Sequence, residues 1–315
     1  MSLTAPNSNS DSLAKPKPPE INATGDMIRV RLGRRKPWVP LPKMVGAPFS
    51  VSYGMGTDST GMLIHLRNEG IIPDVIQFAD TGVEKPETYG FREYIDPWLE
   101  KNGFPPITVV KLESRKGYLS MADQLLANGT LPSLAFGGHS CSLKWKVAPM
   151  DKWFNNYEPA AVAWALGQKV VKAIGYDASP RDSFRRGKAM SKGDDPKYKY
   201  IFPLSDAGIT REGCIHLIRS EGLPMPGKSA CWFCPAAKKS ELEELLALYP
   251  DLVALGLKIE ATAKLKGFQS TKGLGRSWAW RDHLFHKCPS QLKWLDQNFD
   301  TGVKAWKEAE LLESA

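Results

Sequence analysis

The sequence has no apolar run approaching the roughly 20 residues that a helix needs to cross a bilayer. Its N-terminus, MSLTAPNSNSDSLAKPKPPE, also lacks the apolar core of a signal peptide. We therefore expect a cytoplasmic protein without a membrane partner. With 315 residues, 42% of them hydrophobic, the chain can still bury a sizeable core.

Cysteine is scarce: the sequence contains only Cys141, Cys214, Cys231, Cys234 and Cys288. An odd number in a reducing compartment favours metal or redox roles over a disulfide framework. Cys231 and Cys234 form a C-x-x-C pair in a loop between predicted helices. Two thiolates at this spacing can bind one metal ion or neighbouring irons of a cluster, but they need further ligands. Cys214 falls in a helical pattern, where we expect a buried free thiol.

Acidic residues are missing from Met27 to Val45, a stretch that carries six lysines and arginines. The residues before it are rich in Ser, Asn, Pro and Lys, a composition typical of disorder. We predict a disordered, basic N-terminal arm over 1–45, which either contacts a nucleic-acid backbone or packs as a solvated arm. The formal net charge of +8 favours phosphate-bearing partners in general.

From Phe49 onward, short apolar segments alternate with amphipathic helical patterns, which is typical of βαβ units. The predicted strands are 49–53, 74–80, 107–112, 170–177 and 199–204. The pattern predicts a doubly wound, Rossmann-like parallel sheet over 46–205, with ligands at the carboxyl ends of the strands. Residues 206–315 read as a helical C-terminal region that carries the C-x-x-C pair, with one long helix from about Lys239 to Lys264.

The turn between the first strand and the first helix, VSYGMGTDSTGM, lacks both the GxxxxGK[ST] and the GxGxxG spacing. Gly54 and Gly56 are instead followed by Asp58, Ser59 and Thr60. Small residues at such a turn let backbone amides approach a phosphate, and the helix N-terminus adds unpaired donors. A glycine turn with an Asp/Ser helix cap also occurs without any ligand, so the loop by itself leaves both interpretations open.

Several blocks, in order from residue 49 to about 240, resemble the phosphoadenosine-phosphosulfate (PAPS) reductase family of PP-loop adenine-nucleotide α-hydrolases. The blocks are VSYGMGTDST, FADTGVEKPET, CSLKWKVAP, IGYDASPRDSFRR and FPLSDAGITREG. Gly56, Asp58 and Ser59 match the usual SGGxDS loop, whereas Gly54 and Met55 depart from its serine and first glycine. The resemblance is closest in type to iron–sulfur DNA-phosphorothioation sulfurtransferases and phage-encoded members.

The resemblance implies ATP or another adenine nucleotide as the cofactor, with Mg²⁺ held by Asp58 or by the acid of the PET segment. It implies nucleotide contacts from Ser52, Gly54, Gly56, Asp58, Ser59, Thr60, Asp80, Thr81, Gly82, Arg181 and Arg186. Catalytic roles fall to Asp58, Lys144 and Arg185, with Lys146 as a further cation. Arginines in a polar loop are equally well explained by a solvated surface.

The same resemblance assigns Cys141, Cys231, Cys234 and Cys288 to a [4Fe-4S] cluster. Ser140 and Ser142 flank Cys141 where adenylyl-sulfate reductases have adjacent cysteines, so three thiolates and one open iron are an alternative. A structural Zn²⁺ bound by three of these cysteines, with Cys288, His139 or His286 as the fourth ligand, is another.

After Cys288 the sequence has no cysteine, whereas PAPS reductases carry a nucleophilic cysteine near their C-terminus. We therefore expect an ATP pyrophosphatase that adenylates a substrate for sulfur transfer, with nucleic acid as a candidate acceptor. The sulfur would come from a cysteine desulfurase or a thiol. The alternatives are a sulfonucleotide (APS/PAPS) reductase that uses an external thiol, and a zinc-stapled nucleic-acid-binding module without catalysis.

Overall fold

Five parallel strands form the centre of the computed structural model, which describes residues 46–191, 193–268 and 270–305. The predicted basic arm over 1–45 lies outside the described residues. The strands are β1 (Phe49–Ser52), β2 (Val75–Asp80), β3 (Ile107–Lys111), β4 (Val170–Ile174) and β5 (Tyr198–Ile201). Their order is β3-β2-β1-β4-β5, and each neighbouring pair is parallel. The predicted doubly wound parallel sheet is confirmed.

The strand order reverses at β1, which pairs with β2 on one side and β4 on the other. Ser52, the last residue of β1, lies beside Gln77 and Ile174 in the register. In doubly wound sheets the crevice for ligands opens beyond the carboxyl ends of the strands at this reversal. The segments that follow Ser52 and Ile174 are therefore where a ligand site is expected.

Within the described residues up to 220, ten helices accompany the sheet. A 3₁₀ turn over Ser133–Phe136 precedes the fifth helix, and a π turn over Leu143–Val147 follows it. The helices are α1 (Thr57–Asn68), α2 (Pro86–Gly90), α3 (Arg92–Lys101), α4 (Met121–Asn128), α5 (Ser140–Ser142), α6 (Ala148–Asn155), α7 (Glu158–Ala165), α8 (Pro180–Met190), α9 (Pro203–Asp206) and α10 (Arg211–Ser220). Pro203 begins α9 because its fixed φ suits the first helical turn, so the predicted strand 199–204 ends early, at Ile201.

Helix α1 is buried on both the sheet side and the α10 side. Met62, Leu63 and Ile64 are fully buried in the core of the α/β half. A Cβ on Gly61 would lie 2.7 Å from the Cβ of Cys214, so glycine allows α10 to pack directly on α1. Cys214 is a buried free thiol, as expected.

Four helices follow between residues 239 and 298: α11 (Lys239–Leu248), α12 (Pro250–Leu265), α13 (Trp280–Lys287) and α14 (Pro289–Asn298). The predicted helical C-terminal region is confirmed, but the single long helix is wrong, because Pro250 starts a new helix after Tyr249. These helices share one apolar cluster with Val83, Met121 and Trp145 of the earlier chain. No helix in the described part of the chain has the length and apolarity needed to span a membrane.

Candidate functional site

The loop Tyr53–Gly56 joins β1 to α1 through a left-handed residue that is not glycine. Met55 has φ 55°, and its side chain is fully buried. A left-handed conformation costs a side-chain-bearing residue about 1–2 kcal/mol, whereas burying a methionine side chain contributes about 1.5–3 kcal/mol. The backbone therefore keeps the conformation that suits glycine, while Met55 offsets its strain by filling the core.

The amides of this loop converge on Ser59. Gly54 N–H and Gly56 N–H each donate to Ser59 Oγ at 3.3 Å, and the Ser59 hydroxyl lies 3.2 Å from the Gly56 carbonyl. Thr60 is turned away, since its hydroxyl meets Tyr53 Oη at 3.1 Å inside the core. The first-turn amides of α1 have no helical acceptors, so an anion at this end would meet those donors and replace Ser59 Oγ on the glycine amides.

Three carboxylates gather beside the start of α1. Oxygen atoms of Asp58, Asp177 and Asp182 lie within 4.8 Å of one another. Arg211 binds both oxygens of Asp58 at 3.0 and 3.1 Å, and Arg185 binds Asp182 at 2.9 Å. Burial raises the pKa of Asp58, with the other two carboxylates adding to the rise and Arg211 opposing it. A hard cation such as Mg²⁺ prefers this kind of oxygen donor set.

The turn after β4 brings two of these carboxylates to α1. A Cβ on Gly175 would lie 3.2 Å from the Ser59 Cα, so glycine permits the close approach. Ser179 caps α8 by accepting from the Asp182 amide at 3.4 Å, and Asp177 accepts from the Ser179 amide at 2.8 Å. Sequence reasoning included Asp182 only within the IGYDASPRDSFRR block and did not single out Asp177 or Arg211.

The predicted cations differ in where they lie. Arg185 reaches the carboxylates and stacks on Tyr176, with its guanidinium carbon 4.3 Å from the ring centre. Arg186 instead binds Ser205 and Asp206, and Arg181 is exposed on α8. Lys144 donates to Gln124 at 2.9 Å and is exposed. Of the three arginines, only Arg185 reaches the group of carboxylates beside the start of α1, where it pairs with Asp182.

Asp80, at the end of β2, is held by three donors. It accepts from the Gly82 amide at 2.8 Å, from Tyr89 Oη at 2.7 Å and from Lys111 Nζ at 2.8 Å. Burial works to raise the pKa of Asp80, but these bonds outweigh it and the pKa lies below its ordinary value. Gly82 has φ 70° and packs against Ser120. Asp80 thus fixes the turn that carries Thr81 and Glu84.

A buried polar group links this turn to the C-x-x-C pair. Thr81 Oγ1 donates to Glu84 at 3.1 Å and lies 3.8 Å from Cys231 Sγ. Lys146 Nζ lies 2.7 Å from the same Glu84 oxygen, and the other oxygen of Glu84 has no partner among the described residues. Burial alone would lower the pKa of Lys146, but Glu84 and the neighbouring thiols Cys231 and Cys234 raise it.

The segment before the C-x-x-C pair contacts the loop Tyr53–Gly56 through Ser229. A Cβ on Gly56 would be 2.9 Å from the Cβ of Ser229, and one on Gly54 would be 3.1 Å from the Ser229 hydroxyl. Two residues later, Cys231 forms an isolated antiparallel bridge with Glu84. Sequence reasoning missed Ser229, although the small residues of GKSA before the C-x-x-C signalled a close backbone approach. Ser229 thus brings the loop that carries Cys231 and Cys234 into contact with the loop that carries Gly54 and Gly56.

Three of the four candidate ligand cysteines share an electrostatic neighbourhood. Burial raises the pKa of the Cys231 thiol to about 12, with Lys146 opposing the rise. Burial also raises the pKa of Cys234, and Cys141 is near enough to add to the effect. Thiols in such surroundings stay protonated until a metal displaces the proton. Cys288, at the junction of α13 and α14, packs on the same apolar cluster as Cys141 and Cys231.

The spacing of these thiols bears on which metal group they fit. A zinc ion with Zn–S bonds of about 2.3 Å requires sulfurs about 3.8 Å apart. Within the described ranges, only the group of three aspartates brings three candidate ligand atoms within 4.8 Å, and no set of cysteines does so. A cluster places its thiolates on different irons, which spaces them more widely. Binding of a single zinc ion would therefore require these thiols to move closer together than they lie here.

The sequence is similar in part to that of a known reductase. No family model matches the sequence. The chain is 27% identical over 182 residues to the adenosine 5'-phosphosulfate reductase of Rhodococcus erythropolis, covering 56% of this chain and 66% of that one. It thus spans about two thirds of the relative's length. The resemblance to PAPS reductases read from the sequence is confirmed by this similarity.

A solved structure also overlaps with the chain. It is the U34-tRNA thiolase NcsA from Methanococcus maripaludis with its [4Fe-4S] cluster. The overlap has a TM-score of 0.32 at 15% sequence identity and covers 76% of this chain and 80% of that one.

Proposed function

We propose that the chain is a PAPS reductase-like ATP pyrophosphatase that adenylates an acceptor and prepares it for sulfur transfer. The observation that supports this most is the contact between two loops: Ser229 lies on Gly54 and Gly56 of the nucleotide loop, two residues before Cys231. A nucleotide at the start of α1 and sulfur on the cysteines would then meet in one place. Neither loop alone would favour this chemistry over simple nucleotide binding.

The proposed reaction has two steps. An oxygen of the acceptor attacks the α-phosphorus of ATP, and pyrophosphate leaves with the electrons of the broken P–O bond. A thiol attacks the inner sulfur of a cysteine persulfide made by a desulfurase, forms a disulfide and releases hydrosulfide, which then bonds to the activated atom. AMP leaves and carries the acceptor oxygen with it, so the two sulfurs that form the disulfide supply the only electrons consumed.

The residues beside α1 have distinct roles in the first step. Mg²⁺ bound with ATP supplies charge neutralisation on the phosphate oxygens. Asp58, Asp177 and Asp182 would hold that ion. Arg211 and Arg185, now on these carboxylates, would turn toward phosphate oxygens as charge builds on the α-phosphate. The first-turn amides of α1 would orient the phosphate chain.

The residues around the cysteines serve the second step. A [4Fe-4S] cluster held by Cys141, Cys231 and Cys234 would leave one iron open to bind sulfur, whereas Cys288 as a fourth ligand would close that position. Lys146 keeps a positive charge next to Cys231 and Cys234, and Glu84 holds it there. Because an anionic sulfur is stabilised by such a charge, Lys146 would position the incoming sulfur rather than donate a proton.

A second candidate is a sulfonucleotide reductase that uses an external thiol, which the name of the Rhodococcus relative favours. In that reaction one thiol takes the sulfonyl sulfur from adenylyl sulfate and AMP leaves. A second thiol then attacks the sulfur of the first thiol, so that sulfite leaves and a disulfide forms. The oxidation of the two thiols to this disulfide supplies the two electrons. Both functions use the same loops, so only the substrates and products distinguish them.

Anaerobically purified protein, assayed with each nucleotide, separates the candidates. Iron and acid-labile sulfide with little zinc, together with pyrophosphate release from ATP that depends on Asp58, would support the proposal. Sulfite and AMP from labelled adenylyl sulfate without ATP would favour the reductase. A colourless protein with one zinc per chain and no turnover of either nucleotide would refute both and favour the zinc-stapled binding module.

A further inference from the structure

An open groove lies between the 3₁₀ turn around Phe136 and the loop from Ser270 to Ser277. Its volume is about 670 Å³, within the range of small-ligand sites. Gly137 lines it, and no atom lies within 4 Å of the position that a Cβ would take there, so ligand atoms can approach the backbone. Thr271 also lines the groove, and its buried hydroxyl has no hydrogen-bond partner among the described residues. None of these residues belongs to the nucleotide loop or the cysteines.

Both walls of the groove come from segments without carboxylates. The sequence has no Asp or Glu between Asp123 and Asp151, or between Glu260 and Asp282. Arg276, which lines the second wall, and Lys272, on the same loop, are exposed, and within the described ranges neither has an ion-pair partner. Two unpaired cations without nearby acids give this surface a positive potential that suits a polyanion.

Two aromatic rings stand at the edge of the groove. Phe136 is 42% exposed and Phe268 is 37% exposed, and their ring centres are 5.7 Å apart. Exposed phenylalanine faces next to free cations are the combination that single-stranded nucleic acids use, with bases on the rings and phosphates on the cations. A duplex keeps its bases stacked inside, so it gains only the charge contacts.

Hydrogen bonds hold both walls of the groove, and one of them joins a wall to the helix that carries Cys141. The amide of Cys141 donates to Ser133 Oγ at 2.9 Å, which ties the turn that carries Phe136 to the cysteine helix. On the other wall, the buried carboxylate of Glu260 accepts from the amides of Leu274, Trp280 and Arg281 at 2.9 to 3.1 Å. Arg276 is held at φ 65°, and strain of this kind in a non-glycine residue is often kept at functional sites.

We propose that this groove binds a single-stranded nucleic acid, with Phe136 and Phe268 stacking on bases and Arg276 and Lys272 contacting phosphates. The inference rests on the proposed function in one respect: it names the acceptor that would be adenylated and receive sulfur. The binding itself needs no ATP and no cluster. Its test can therefore fail or succeed independently of the pyrophosphatase assay.

The test is fluorescence anisotropy of the full chain, without nucleotide, using a labelled oligothymidylate of roughly 12 nucleotides. Arg276→Gln should weaken binding about 3- to 10-fold and reduce the slope of log affinity against log salt by about 1. Phe136→Leu should weaken it about fivefold or more, because leucine cannot stack. A duplex of the same length should bind less tightly.

Matched variants separate the groove from the rest of the basic surface. Arg219→Gln, on the exposed face of α10, and Phe184→Leu, exposed on α8, should leave the affinity unchanged. Circular dichroism melting checks that all four variants are folded. The proposal is overturned if the wild-type chain does not bind at low salt. It is also overturned if the groove variants bind like the controls, or if the duplex binds as well as the single strand.

Discussion

Met55 shows two opposing effects at the scale of one residue. Its φ of 55° suits glycine, while its side chain is fully enclosed by the core. The turn therefore depends on packing at this position, because a residue with a side chain occupies a conformation that suits glycine.

This strain predicts that glycine destabilises the fold less than alanine does at Met55, which is the reverse of the usual order. Met55→Ala should destabilise the fold by roughly 2–5 kcal/mol, because it opens a cavity and keeps the strain. Met55→Gly should be less harmful than Met55→Ala by about 1 kcal/mol, since glycine adopts the left-handed conformation freely. Urea unfolding measures both.

Met62 is the matched control, because it is equally buried but lies inside α1. There the usual order should hold, with alanine better than glycine by about 1 kcal/mol. The same order at both positions would show that backbone strain at Met55 is not significant.

Asp80 predicts a pH dependence of stability. Its folded-state pKa is lowered, so the ionised carboxylate stabilises the fold above its unfolded pKa of about 3.9, and this contribution is lost as the pH falls through the folded pKa. Asp80→Asn should destabilise the chain by about 1–3 kcal/mol at pH 7. The difference in the free energy of unfolding between Asp80→Asn and the wild type should narrow below pH 4.

Thermal melts from pH 3 to pH 7 provide the measurement. Asp194→Asn is the control, since Asp194 is exposed, and it should shift the melting temperature little at any pH. A gap for Asp80→Asn that stays constant down to pH 3 would contradict the ionised role of Asp80.

At the scale of elements, one buried carboxylate organises the loop between α12 and α13. Glu260 accepts three backbone amides, and the loop it holds includes one wall of the groove. Burial raises the pKa of Glu260, while the three amide donors oppose the rise. The loop also packs Leu274 and Trp278 on the apolar cluster of the C-terminal helices, so these bonds and that packing together determine its shape.

Glu260→Gln should therefore destabilise the fold by about 1–3 kcal/mol, because a glutamine oxygen replaces only one of the two acceptors. It should also weaken oligothymidylate binding, since the wall with Arg276 loses its support. Chemical unfolding and anisotropy give the two readouts. Glu244→Gln, on the exposed face of α11, should change neither; equal effects from both substitutions would remove Glu260 from this role.

At the scale of the whole molecule, the chain brings residues from distant segments into one place. Cys141 lies in α5, Cys231 and Cys234 lie between α10 and α11, and Cys288 lies between α13 and α14. If these cysteines bind a cluster, Cys231→Ser should abolish the bound iron and sulfide. Cys288→Ser should lower them, and Cys214→Ser should leave them unchanged because Cys214 lies in the α/β core.

Iron and sulfide counts after anaerobic purification, with the absorption spectrum, measure this directly. Removal of the cluster by a chelator should also lower the melting temperature, because a metal group that binds only the folded chain adds its binding free energy to stability. Full iron content in the Cys231→Ser chain would exclude that residue as a ligand.

The sequence by itself determined the α/β alternation, the strand-to-helix turn after β1 and the helical C-terminal region. These follow from local periodicity and turn chemistry, which neighbouring residues carry. It misplaced the end of β5 and joined α11 to α12, because the effect of Pro203 and Pro250 depends on whether each begins a helix or interrupts one. The roles of the predicted site residues remain predictions.

Only the tertiary structure decided which distant residues meet. The contacts of Ser229 with Gly54 and Gly56, of Arg211 with Asp58, and of Lys146 with Glu84 join segments that are far apart in the chain. No local pattern encodes such pairs, because they depend on how helices and loops pack over the ends of the strands. The same holds for the groove beside Phe136, whose two walls are more than a hundred residues apart and are brought together by the packing of the C-terminal helices.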